Sequence, residues 1–205
     1  MKARAWLVYL LAGAIATLVF LFVPGMRIGG LLNLIALSSP IAILIALRMN
    51  RVEYKLPWLL IALGQLFFVT GDVITYNYER FFGTELPYPS IGDVFYLSVY
   101  PCLFLGILLL IRHRSPGRDR DSAIDSLIVG IGVGVLSWVF LIAPYTHDST
   151  LTTLQKLVSI GYPLMDLMLV TVAIRLAVGR GRKNPSFYLL LAGVVALFIT
   201  DALYG

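Results

Sequence analysis

Cysteine occurs once in this sequence, at position 102, and histidine only twice, at 113 and 147. One cysteine excludes an internal disulfide and any cysteine metal cluster built by the chain alone. Charge is scarce as well: Asp, Glu, Lys and Arg make up 13% of the residues, about half the share of a typical soluble domain (~25%). Soluble enzyme motifs are absent. There is no G-x-S-x-G, no H-E-x-x-H, no G-x-x-x-x-G-K and no C-x-x-C. Nor do the apolar stretches alternate with period two, which excludes the strands of a membrane barrel.

What the chain has in abundance is long apolar runs. Hydrophobic residues account for 59% of it, and the mean hydropathy is +0.88. Seven runs, near 5–23, 29–47, 58–76, 91–111, 122–143, 157–178 and 187–205, are about long enough to cross a hydrocarbon core of ~30 Å. Only a helix satisfies its own backbone in lipid without closing into a barrel. The expectation is therefore an all-α polytopic membrane bundle of about seven helices, forming one domain over 1–205. Lys2 and Arg4 precede the first run as they would a signal peptide. The run is longer than a signal core, however, and no cleavage pattern follows it.

The basic residues divide unequally between the two sets of loops. Thirteen (Lys2, Arg4, Arg48, Arg51, Lys55, Arg112, Arg114, Arg118, Arg120, Arg175, Arg180, Arg182 and Lys183) fall on one side and three (Arg27, Arg80 and Lys156) on the other. The positive-inside rule then puts the N-terminus in the cytoplasm and the protein in the inner (plasma) membrane. The net charge of +5 belongs to loops facing anionic headgroups. RHRSPGRDRD (112–121) reads as such a loop, and no nucleic-acid partner is expected. The last run, FYLLLAGVVALFITDALYG, reaches residue 205 without a polar tail, so the chain is expected to continue in a longer protein.

Two pairs of runs look alike. WLLIALGQLFFVTGD (58–72) aligns without gaps on FYLLLAGVVALFITD (187–201), pairing Gly64 with Gly193 and Asp72 with Asp201; SVYP (98–101) and GYP (161–163) share a Tyr-Pro step. Either a repeated two-helix unit or chance among apolar helices produces this.

Seven acidic positions call for an explanation. In PYPSIGDVFYLSVYP (87–101), Ser90 as N-cap makes Asp93 the third helical residue, a Ser-x-x-Asp capping box at the positive end of the helix dipole. Pro101 is expected to kink that helix. Asp72 has no such excuse, because it falls toward the C-terminal end of its helix, ~21 Å from the inner boundary at 1.5 Å per residue. Asp201 sits at the same depth by the alignment, and Asp166 lies deeper in the sixth run. Carboxylates there are costly. Either they hydrogen-bond nearby Tyr, Thr or Ser and fix packing, or, with Tyr100 and Tyr162, they line a site for a small ligand or a proton reached from the outer side. If the third and seventh helices line one cavity, Asp72 and Asp201 share that site. The other aromatics of the outer half read as an interfacial belt. Asp121 and Asp125 fit the N-terminus of the fifth helix, and His147-Asp148 fits a solvated loop better than a metal site. No metal or cofactor is expected.

SWVFLIAPY (137–145), YPLMD (162–166), ITDALYG (199–205) and PYPSIGDVFYLSVYP together resemble the N-terminal membrane region of actinobacterial cyclic-di-GMP signalling proteins. The resemblance runs from about residue 55 to the end. In that family a polytopic membrane region precedes a cytoplasmic diguanylate cyclase domain, often followed by a phosphodiesterase domain. No GGDEF and no EAL occurs in these residues. The resemblance thus implies a signal-input or anchoring module without catalysis of its own. Its implied partners are the bilayer, a cytoplasmic effector domain in a longer chain and a second copy of itself. An alternative is a self-contained intramembrane hydrolase: GDVITY (71–76) and ITDALYG also resemble the aspartate-bearing helices of lysoplasmalogenase-type enzymes. The helix after GDVITY lacks the histidine that this second resemblance implies.

Overall fold

The computed structural model describes residues 5–22, 29–50, 52–114, 120–179 and 185–204, and among them there is no strand. The helices are α1 (Ala5–Phe22), α2 (Gly29–Met49), α3 (Leu56–Tyr76), α4 (Tyr78–Phe82), α5 (Ile91–Arg114), α6 (Arg120–Ser137), α7 (Ala143–His147), α8 (Thr153–Val178) and α9 (Pro185–Tyr204), with a π-helical turn at Trp138–Ile142 between α6 and α7. Among the described residues six segments are long and apolar enough to cross a membrane: α1, α2, α3, α5, the continuous stretch from α6 through α7, and α8. The last helix is apolar over the shorter Pro185–Asp201. This is the all-α helical bundle of a multi-pass membrane protein.

Local chemistry sets the helix ends. Pro57 sits in the first turn of α3, where its missing N–H leaves no bond unmade. Gly83 stops α4 in the left-handed conformation (φ 71°), and its N–H donates to the Glu79 carbonyl at 2.8 Å. Thr152 and Gln155 cap α8 reciprocally: Thr152 Oγ1 accepts from the Gln155 N–H, and Gln155 Oε1 accepts from the Thr152 N–H. The helix therefore begins four residues before the expected 157. At the fifth run the chain stays helical past the expected end at 143, reaching His147 through the π turn. Pro144 explains the turn. It has no N–H for the Phe140 carbonyl, and just before it the Ala143 N–H reaches back five residues to the Trp138 carbonyl. α5 and α8, in contrast, run as single helices through Pro101 and Pro163.

The helices pack as a row, α1 on α2, α2 on α3, α3 on α5 and α5 on α8, with α6 and α9 also laid on α8. Tyr54 and His113 stack at 4.9 Å, joining the start of α3 to the end of α5, so the two are antiparallel. Their approach is close because of glycine. A Cβ at Gly106 would lie 2.9 Å from the Pro57 carbonyl oxygen, and one at Gly71 would lie 2.8 Å from the Tyr96 ring. Gly193, which the sequence alignment pairs with Gly64, has nothing within 4 Å of its would-be Cβ. Gly64 faces Cys102 and Val99 at 3.3 Å, so the two aligned glycines do different jobs.

The core lies between α5, α8 and α9. Ile107 and Ile111 of α5 meet Leu169, Val172 and Leu176 of α8 and Val194 of α9, all buried. On α8 these positions recur at three and four residues, one stripe of a 3.6-residue helix. The outward faces are apolar too: α1 buries none of its residues, and Val8, Phe140 and Leu157 are 65%, 71% and 65% exposed. Water would penalise so much open apolar surface, whereas lipid solvates it.

Candidate functional site

Ser90 and Asp93 form the expected helix cap. Asp93 Oδ2 accepts from the Ser90 N–H at 2.7 Å, and Ser90 Oγ accepts from the Gly92 N–H at 3.1 Å. Capping uses only one oxygen of the carboxylate. The other, Oδ1, accepts from the Tyr162 hydroxyl of α8 at 2.7 Å. Asp93 thus starts α5 and ties it to α8 at once.

The same tyrosine-to-aspartate bond appears twice more. The Tyr96 hydroxyl of α5 donates to Asp72 Oδ1 of α3 at 2.7 Å, and the Tyr100 hydroxyl, one turn further along α5, donates to Asp201 Oδ2 of α9 at 2.7 Å. Each bond gives a carboxylate in an apolar setting a neutral donor, which lowers the cost of keeping it there. Together the three join α3, α8 and α9 to α5. Asp72 and Asp201 do not come together as one pair: each has its own tyrosine, and α3 and α9 are not a packed pair. What faces Asp201 is Asp166 of α8, which lies beside both the Asp201 carboxylate and the Tyr100 hydroxyl. Asp166 is 13 residues into the 26-residue α8, ~20 Å from its start and near its midpoint. It is 6% exposed, and its Oδ1 accepts no hydrogen bond.

Asp166 closes a polar stripe on α8. Gln155, Ser159, Tyr162 and Asp166 recur at four, three and four residues, on one helical face. Gln155 Nε2 donates to the Tyr88 carbonyl at 3.1 Å, and Ser159 shares a 2.6 Å hydrogen bond with the Tyr88 hydroxyl. The segment before α5 is thereby strapped to the start of α8. Tyr162 also meets Tyr100 edge-on, ring centroids 6.4 Å apart. Of the five residues the sequence singles out as ligand-binding, Tyr100, Asp166 and Asp201 converge. Tyr162 adjoins them through its ring, and Asp72 stands apart with Tyr96.

From sequence alone Tyr88 and Tyr96 fit an aromatic belt, and nothing in their own identity singles out Gln155 and Ser159. The available signal was the spacing 155, 159, 162, 166, a stripe of polar residues in an otherwise apolar run. Asp148, outside the spans, accepts from the Thr150 hydroxyl at 2.6 Å and the Thr150 N–H at 2.8 Å, which hold its carboxyl below the usual range. It therefore closes its own turn. The side chains of Asp121 and Asp125 lie outside the described residues. Among the described residues no group of three His, Cys, Asp or Glu side chains is placed to hold a metal ion. A groove of about 280 Å³ runs between α1 and α2, lined by Tyr9, Leu34 and Ser38 among others, well apart in the row from these aspartates. Comparisons with models of known protein families, with curated proteins and with solved structures gave no match for this chain.

Proposed function

We propose that this chain is a membrane-embedded signal-input or anchoring module, with its N-terminus in the cytoplasm, serving a cytoplasmic effector of the cyclic-di-GMP type. The observation that carries the reading is the convergence of three interhelical tyrosine–aspartate bonds on α5. Polar contacts between helices in an apolar bundle have few alternative partners. A change at one of them therefore shifts helix packing, which is what an input module has to transmit. The sequence resemblance supplies the effector class, and the thirteen basic residues on one set of loops supply the orientation. In this reading the chain performs no catalysis itself and acts in the membrane as a single copy or as a homodimer.

The hydrolase alternative rests on the shorter resemblance at GDVITY and ITDALYG and lacks the histidine it implies, which is why we favour the module. The DNA after codon 205 tests the reading. An open frame into a GGDEF domain is expected. A stop codon there, together with lysoplasmalogen turnover that vanishes in Asp72→Asn and Asp201→Asn, would establish the hydrolase instead.

A further inference from the structure

We propose that Asp166 and Asp201 share a single proton beside the Tyr100 hydroxyl, and that this acid pair, Asp166 buried and Asp201 half-buried, is the ligand site of the bundle, its ligand being the proton. The argument begins from an inventory of donors. An ionised carboxylate only accepts hydrogen bonds. Two that face each other are joined by a proton or by a cation, or they repel. The Tyr100 hydroxyl has one hydrogen and gives it to Asp201 Oδ2 at 2.7 Å. Asp166 Oδ1 is left buried with no donor, in a side chain more than nine-tenths buried. No basic side chain among the described residues faces either carboxylate: α5 presents Tyr100 and α9 presents Asp201, while on α8 itself the neighbouring titratable group is Tyr162. α6 meets α8 through Gly130 against Thr171 and Gly134 against Leu167, with no charge at either contact.

Coordination chemistry chooses between proton and cation. A hard cation such as Ca²⁺ takes six to eight oxygens, and even the smaller Mg²⁺ demands a full octahedron. Two carboxylates and a phenol whose hydrogen is already committed fall short of either, and the described residues hold no three-member acidic or histidine group. A proton needs only the two facing oxygens. The Tyr88–Ser159 and Asp93–Tyr162 bonds carry the polar stripe from the start of α8 toward the pair, and the Tyr162 ring packs edge-on against Tyr100. Removing the proton leaves two negative charges facing each other at the midpoint of α8, with little water to screen them. α9 is held to this part of the bundle by Asp201, so its docking on α8 becomes the element that responds. As an input device the pair rests on the signal-input reading, whereas its occupancy does not.

Infrared spectroscopy of the chain in lipid nanodiscs at neutral pH tests the proposal. One protonated carboxylic-acid carbonyl band is expected, moving in D2O. It should disappear in both Asp166→Asn and Asp201→Asn, persist at a shifted position in Tyr100→Phe and Asp166→Glu, and stay in place in Asp72→Asn. The thermal midpoint of the wild type should fall as pH rises, and that of Asp166→Asn should stay level. If the asparagine variants do not fold, the displaced bands of Tyr100→Phe and Asp166→Glu carry the assignment. A wild type without the band, a band lost only in Asp72→Asn, or a midpoint that follows Na⁺ rather than pH would overturn it. An intact band in a chain whose frame lacks any effector would keep the site and dismiss the signalling reading.

Discussion

Tyr162 donates its hydroxyl to Asp93 Oδ1 at 2.7 Å across 69 residues of sequence, while Oδ2 of the same carboxylate accepts from the Ser90 N–H at 2.7 Å. One side chain is thus both a local cap and a tertiary contact. The two roles respond to different substitutions.

Asp93→Asn keeps one carbonyl oxygen for the cap and turns the other acceptor into a donor, so the Tyr162 bond persists only with its direction reversed and without the carboxylate's charge. A loss of roughly 1 kcal/mol is expected, between the worth of a cap and that of a bond between membrane helices. Tyr162→Phe leaves the cap intact and should cost less, about 0.6 kcal/mol. Asp93→Leu removes both roles and should cost the most. Thermal unfolding in detergent of the single variants and of the Asp93→Asn/Tyr162→Phe double variant measures the coupling. Fully additive losses would mean that the bond contributes nothing to stability.

Glycine is packed tightly on α5 and loosely on α9. Gly106→Ala on α5 would push a methyl to 2.9 Å from the Pro57 carbonyl oxygen, a backbone atom with little freedom to yield. A cost of about 1–3 kcal/mol is expected from overpacking. Gly193→Ala on α9 meets open space and should be neutral, or stabilising by up to ~1 kcal/mol through helix propensity. Comparing unfolding midpoints of the two variants checks this. Equal losses would contradict the tight α3–α5 contact.

Topology is open to direct labelling. Single cysteines at Ser115 and Ser149 in a Cys102→Ala background should react differently with an impermeant thiol reagent on intact cells. Ser149 lies in an exposed turn between α7 and α8, and the charge distribution puts it outside and position 115 inside. Labelling at 149 alone is expected, and the reverse pattern would invert the orientation.

The segments that become helices were legible from hydropathy, because in lipid each helix satisfies its own backbone and needs no partner to form. The Ser90–Asp93 cap was legible for the same reason: both residues lie within one turn, so their spacing alone brings them together. Pro144 is visible in the sequence too, but its effect is not. A proline can end a helix or shift it into a π register, and that outcome depends on whether the chain beyond still has a partner to pack on, here α8. The partners of the deep aspartates were decided only by the tertiary structure. Asp72 and Asp201 share a depth and a local sequence, yet one meets Tyr96 and the other meets Tyr100 with Asp166 alongside. Period and composition locate a carboxylate along its own helix axis. Which helix stands beside it follows from the order in which α3, α5, α8 and α9 pack, set by the close glycine contacts of α3 on α5 and the apolar stripe of α8.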